Sequence, residues 1–329
     1  MKIAINCLII FILTSFLFSS CKKEELIKVD HVTIDLNTNG DLRKILFLPD
    51  SIGLICGGNK NELGLIYRST NNGLSWQMVY SDNKHCLYDL FFLDSLNGFA
   101  CGDSLTLLKT TDGGQTWTEY LFNNFPYDQF MVPIRSMYFF NQDTAFFAGG
   151  EFMHKGLISS TFNAGYIWSH LSIGNEWRCI LFTDRLHGFA SGYGQIYKTI
   201  DGGQNFTPCD ITGDYYNSLY FSSTDTGFAA GYNGGIYRTT NAGNNWSEVL
   251  SSNGMFDERI HLNYIHFLNQ QLGYTVGNSG VIMKSTNGGN NWKRFEDISD
   301  KHLYSFDLSL NNYLFITAGK GKIFLINDK

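Results

Sequence analysis

The chain has 329 residues, 43% of them hydrophobic and 16% aromatic, with 34 glycines against 4 prolines and a net charge of −6. That length and apolar content can fill a large core and would allow one to three domains. The acidic balance argues against wholesale electrostatic binding of nucleic acid, so no nucleic-acid partner is expected.

The first residues read as a targeting segment rather than as fold. Met1-Lys2 is a short basic start, residues 3–18 are an apolar run, and Ser19-Ser20 precede Cys21. The run is too short, and too abruptly ended by Lys22-Lys23-Glu24-Glu25, for a good spanning helix. An ordinary cleaved signal and a membrane anchor are the plainer alternatives. The pattern resembles a bacterial lipoprotein signal, with Phe18 where leucine is usual. That resemblance implies a signal over 1–20, a lipidated Cys21, a tether over 21–30 and a place in the cell envelope. The expected site is the outer membrane, periplasmic or surface-exposed, with the membrane reached through the lipid anchor. Five cysteines then remain, Cys56, Cys86, Cys101, Cys179 and Cys209, with no CxxC spacing. Buried free thiols fit better than a zinc site, and no metal or cofactor is expected.

Residues 31–36 alternate like a strand. After them one eight-residue pattern, Ser/Thr-x-Asp/Asn-x-Gly-x-x-Trp, governs the chain. It stands at 69–76, 110–117, 161–168, 199–206, 239–246 and 285–292, with Phe206 replacing Trp in the fourth copy. Asn71, Asp112, Asn163, Asp201, Asn241 and Asn287 can accept hydrogen bonds from nearby backbone N–H groups and fix a tight turn. The glycine at the fifth position can take positive φ, and the closing aromatic can bury against neighbouring strands. A calcium loop would need several oxygen ligands at alternating positions, which most copies lack.

Each repeat offers four short strands, clearest over 87–93, 97–102, 105–110 and 118–122. The closing aromatics lie 41, 51, 38, 40 and 46 residues apart. Four strands per such interval is the signature of a propeller blade. Six boxes close six blades. Residues 303–308, 313–318 and 322–326 supply three more strands, and 31–36 can complete them. The expectation is therefore an all-β, seven-bladed propeller over 31–329, its last blade closed by the N-terminal strand, as a monomer. Six blades with an appendage is the runner-up.

These residues match the Asp-box, or BNR, repeat family over nearly the whole chain. The stretch Lys109–Trp117, with Gly98-Phe99-Ala100 upstream, resembles the photosystem II stability/assembly factor-like propellers. That group is described as seven-bladed and as carrying an arginine patch. The resemblance also implies that the boxes lie on the face away from the ligand site. The working face would carry the loops entering each first strand.

Aligning the first strands gives a column of Arg43, Tyr88, Arg135, Arg178, Asn217, Asn263 and Tyr304. Two positions earlier stand Asp41, Cys86, Pro133, Glu176, Tyr215, His261 and His302. First strands line a propeller's channel, so the three guanidinium groups should face its mouth. Arginine suits bidentate capture of carboxylate or phosphate. The column is thus expected to bind an anionic segment of a protein or glycan partner. The competing expectation is that each arginine pairs locally with Asp41, Asp89 or Glu176 and only braces the blades. His261, His302 and Asp41 could form a metal cluster, though scattered loop histidines are commoner. The aromatics of 120–133 and of 149–154 could contact a partner or fold back as a plug.

The reading is a non-catalytic binding or assembly scaffold. The alternative is a sialidase-like or other glycoside hydrolase, which also builds on Asp-box blades. It would need two facing carboxyl groups, and only Asp89 and Glu176 lie near the column.

Overall fold

The computed structural model describes residues 26–120, 132–171, 174–251 and 260–327. The expected signal segment and Cys21 fall outside these residues, as does most of the aromatic connection over 120–133.

Strands are numbered in chain order. The first sheet is β2 (Asp41–Phe47), β3 (Gly53–Asn59), β4 (Leu63–Ser69) and β5 (Gln77–Asp82). The second is β6 (Leu87–Phe92), β7 (Gly98–Gly102), β8 (Leu107–Thr110) and β9 (Thr118–Glu119). The third is β10 (Ile134–Phe139), β11 (Ala145–Glu151), β12 (Lys155–Thr161) and β13 (Ser169–Leu171). Next comes one six-stranded sheet of β14 (Trp177–Phe182), β15 (Gly188–Thr199), β16 (Thr207–Phe221), β17 (Gly227–Gly231), β18 (Ile236–Thr239) and β19 (Ser247–Leu250). It is followed by β20 (Leu262–Phe267), β21 (Gly273–Gly277), β22 (Ile282–Ser285) and β23 (Lys293–Arg294). The last sheet is β24 (Leu303–Leu308), β25 (Leu314–Ala318), β26 (Lys322–Ile326) and, on its outer edge, β1 (His31–Asp35).

The fold is an all-β propeller of six blades, which corrects the expected seven. The expected fourth and fifth blades are one sheet, because β15 and β16 do not stop where the other strands stop. The cause is pairing: β15 stays bonded to β16 from Lys198 opposite Thr207 to Tyr193 opposite Tyr215. The outer strand after Phe206 therefore runs on into the next inner one and turns its corner inside β16, at Gly213 with φ +99°. The wide blade therefore supplies two channel strands, β14 and the end of β16. Around the axis β2 touches β6, β6 touches β10, β10 touches β14, β14 touches β16, β16 touches β20, β20 touches β24, and β24 returns to β2.

β1 pairs antiparallel with β26, from His31 opposite Ile326 to Asp35 opposite Lys322. This joins the two ends of the described chain and covers an edge that would otherwise be open. Ile27 and Val29 are also docked, against the cluster around Phe295 and Phe306, and the Ile27 N–H donates to the Arg294 carbonyl at 2.9 Å.

The core lies between neighbouring sheets. Leu54, Cys56 and Ile66 meet Leu90, Ala100 and Leu108 between the first two blades. Phe315 and Ile323 of the last blade meet Leu42 and Ile45 of the first. Cys56 is a fully buried thiol within the first of these layers, and Cys101 is one in the layer around Phe99 and Phe139.

The boxes work as local corners. Asp112 Oδ1 accepts the N–H groups of Gln115 at 2.9 Å and Thr116 at 3.0 Å. Asn71, Asn163, Asp201, Asn241 and Asn287 each accept the N–H four residues on at 2.9–3.0 Å. The Ser/Thr hydroxyl that opens each box accepts the N–H of the fifth-position glycine, as Thr110 does from Gly114 at 3.0 Å. Those glycines all take positive φ, between +70° and +83°. They also pack across blade boundaries. A Cβ on Gly114 would come 2.7 Å from Leu54 of the preceding blade, and one on Gly203 would enter the Phe146 ring.

Candidate binding site at the channel mouth

The seven column residues are brought together. Arg43, Tyr88, Arg135, Arg178, Asn217, Asn263 and Tyr304 all line one cavity of about 200 Å³ on the axis. Six sit near the start of a strand and Asn217 in the inner part of β16, and at each the pairing register shifts: between Leu42 and Lys44, Leu87 and Asp89, Ile134 and Ser136, Trp177 and Cys179, Tyr216 and Ser218, Leu262 and Tyr264, and Leu303 and Ser305. A bulge of this kind puts one extra residue into a strand and re-aims its side chain.

The bulge has a consequence that strand parity hides. The residue after each column residue also lines the cavity: Lys44, Asp89, Ser136, Cys179, Ser218, Tyr264 and Ser305. The site thus has two tiers. Strict alternation predicts only one, which is why Lys44 and its tier were missed. A recoverable signal exists in three serines, Ser136, Ser218 and Ser305, at one position of otherwise apolar strands.

The lower tier laces the blades together. Ser136 Oγ accepts the Ile180 N–H and Ser218 Oγ the Ile265 N–H, both at 3.2 Å. Asp89 Oδ2 accepts the Met137 N–H at 3.1 Å. Lys44 Nζ lies 3.8 Å from Asp89 Oδ1 and 3.2 Å from the Tyr264 hydroxyl. Burial pushes the Asp89 carboxyl above its usual range, against the pull of Lys44. Burial also pushes the Cys179 thiol up to about 11, leaving it protonated and unreactive.

In the upper tier the arginines have local partners. Arg43 Nη2 is 2.8 Å from Asp41 Oδ2, and its guanidinium carbon lies 4.2 Å from the Tyr304 ring centroid. Arg178 Nη2 is 2.9 Å from Glu176 Oε1, and its Nε donates to the Tyr215 hydroxyl. Arg135 is the least engaged, 4.0 Å from Glu176 and stacked 4.0 Å over Tyr88. The local-pairing expectation therefore holds for Arg43 and Arg178 with Asp41 and Glu176, while Asp89 is taken by Lys44. Among the described residues, Arg43 Nε, Arg135 Nε and Ser305 Oγ are buried without a hydrogen-bond partner. Asn217 and Asn263 donate to the Leu262 and Leu303 carbonyls of the neighbouring channel strand, each at 2.8 Å.

His261, His302 and Asp41 are engaged separately. His261 Nδ1 contacts the Tyr232 carbonyl, His302 Nδ1 accepts the Ser279 N–H at 3.3 Å, and Asp41 Oδ2 accepts the Tyr304 hydroxyl at 2.7 Å. Among the described residues no group of three or more His, Cys, Asp or Glu could hold a metal ion. Of the two carboxylates considered for hydrolysis, Glu176 serves Arg178 and the Met153 N–H, and Asp89 serves Lys44 and Met137. In the aromatic turn over 149–154, Phe152 and Met153 are 61% and 51% exposed and both take positive φ. They stand at the rim rather than plugging the channel, with Lys60 and Lys155 near the Phe152 ring.

A family model described as photosynthesis system II assembly factor YCF48 matches residues 68–207. No curated protein matches the chain. Among solved structures, "YCF48 bound to D1 peptide" is 19% identical with a TM-score of 0.72, over 93% of this chain and 100% of that one. YCF48 from Cyanidioschyzon merolae is 16% identical with a TM-score of 0.69, over 90% and 98%. The GH74 enzyme of Niastella koreensis is 15% identical with a TM-score of 0.62, over 89% of this chain and 53% of that one. At these identities the likenesses establish the propeller fold alone.

Proposed function

We propose that this chain, a BNR-type propeller resembling the photosystem II assembly factors, is a non-catalytic binding module that holds an acidic segment of a protein partner at its channel mouth. The observation that carries this reading is the convergence of Arg43, Arg135 and Arg178 on one cavity. Guanidinium groups gathered in this way suit capture of a carboxylate or phosphate. The relative solved with a D1 peptide gives a precedent for peptide binding on this fold. No photosynthetic role is attached to the proposal.

The module would work at a membrane. Residues 1–20 would be cleaved, Cys21 acylated, and the propeller held in the cell envelope by the lipid. Radiolabelled palmitate should enter the wild-type chain and not a Cys21→Ser variant.

The test of the mouth is the double variant Arg135→Ala, Arg178→Ala, titrated with a fluorescein-labelled acidic peptide by anisotropy. Affinity should fall by at least tenfold and depend on salt. Unchanged affinity in the folded double variant would sink the reading. Tight binding of a neutral oligosaccharide in place of the peptide would move the partner class to glycans.

A further inference from the structure

Outward from Arg178 the rim carries a continuous row of rings. Tyr215 lies beside the Arg178 guanidinium, 4.9 Å from its carbon to the ring centroid. Tyr193, the partner of Tyr215 across β15 and β16, meets it edge-on at 5.6 Å. Tyr232, in the turn after β17, lies 6.2 Å away on the other side. It stacks in turn on His261 at 3.5 Å. Tyr193 and Tyr232 each keep 43% of their surface exposed.

Cross-strand packing accounts for only part of this row. A tyrosine pair across two strands stabilises a sheet by roughly 0.2–1 kcal/mol, which explains Tyr193 with Tyr215. Tyr232 and His261 come from a turn and from the approach to β20, where no strand register places them. Their rings continue the row without closing a core.

We propose that this row is the second half of the binding site, taking the aromatic or long aliphatic side chains that flank the acidic residue of an extended peptide. The proposal rests on the reading of the mouth as an anion site. Spacing supports it, because side chains on one face of an extended strand recur about every 7 Å, close to the 5.6 and 6.2 Å between rings. Charge supports it too. The guanidinium of Arg178 lies against Tyr215, an inner ring of the row, so an occupant must satisfy a cation there and bury apolar surface on Tyr193 and Tyr232. An acidic peptide with alternate aromatic residues does both, whereas a neutral sugar leaves the cation without a partner.

The experiment uses the full chain in detergent and four probes: a peptide with three acidic residues preceded by two alternate tryptophans, its analogue with alanines for the tryptophans, its analogue with amides for the acids, and a neutral hexasaccharide. The tryptophan peptide should bind about tenfold tighter than the alanine analogue, as expected for two added ring contacts. The double variant Tyr193→Ala, Tyr232→Ala should erase that advantage while leaving the alanine analogue's affinity unchanged. Tyr193→Phe, Tyr232→Phe should restore it. Equal binding of the two acidic peptides would overturn the aromatic row and leave the anion mouth standing. Failure of both acidic peptides to bind would remove the mouth and the row's proposed role with it. Binding of the amide analogue or the hexasaccharide as tight as that of the tryptophan peptide would overturn the assigned partner chemistry.

Discussion

The Asp89 carboxylate joins three blades: from the second, its Oδ2 accepts the Met137 N–H of the third at 3.1 Å while its Oδ1 faces Lys44 Nζ of the first at 3.8 Å. One side chain thus closes a backbone hydrogen bond and neutralises a cation in the channel floor. Asp89→Ala removes both at once and leaves Lys44 without its acid. Breaking a buried pair from one side costs on the order of 3–5 kcal/mol. Asp89→Asn also leaves Lys44 without its acid but keeps an acceptor for Met137, so it should cost less than the alanine variant by about 1–3 kcal/mol. Urea unfolding of both variants measures the difference. A loss under about 1 kcal/mol for the alanine variant would remove Asp89 from this role.

His266 gives the fold an acid-sensitive side. It meets Tyr220 edge-on at 4.7 Å, lies parallel to Tyr264 at 6.2 Å and stands near Phe306. Burial pushes its pKa down from 6.5 to about 4, with Lys44 adding to the shift. The unfolded chain therefore binds the proton more tightly than the folded one. Stability from this group is complete above pH 6.5 and is lost as pH falls towards 4, by up to about 3 kcal/mol. His266→Phe keeps a ring in the same stack and should flatten the unfolding free energy between pH 6.5 and 4. An unchanged slope in the variant would show that another group sets the acid limit.

The box corners separate two contributions. Asp112→Asn should be close to neutral, because Asn241 and Asn287 already accept the equivalent N–H groups through an amide oxygen. Asp112→Ala should cost about 1–2 kcal/mol for the donors it strands. Gly203→Ala should cost more than 2 kcal/mol, since a side chain at φ +83° would also collide with Phe146. Thermal melts of the three variants rank them, and equal melting temperatures for Gly203→Ala and wild type would contradict the packing described.

The boxes and the column were legible in the sequence for the same reason. Both depend on local spacing: Asn71 reaches Ser75 four residues on, and Arg43 stands near the start of its strand. The lower tier was not legible, because the bulge at each column residue turns both Arg43 and Lys44 to the axis, where alternation allows one. The pairing of Arg135 depends on Tyr88 and Glu176, 47 and 41 positions away in the chain, and no local rule reports it. The blade count failed at a corner. Pairing of Lys198 with Thr207 and of Tyr193 with Tyr215 carries β15 and β16 across the repeat boundary, so a boundary in the sequence is no boundary in the sheet.

The pairing of His31 with Ile326 sets the order in which the molecule can be made. These partners are 295 positions apart, so ring closure has the largest loop entropy to overcome of any strand contact here. On the ribosome, the first of these strands to emerge must wait for nearly the whole of translation before its mate exists. Until then β26's place in the last sheet is vacant, and β1 and the outer side of β25 are unpaired. A nascent chain stalled a few residues short of β26 would keep β1 and β25 as bare, adhesive edges.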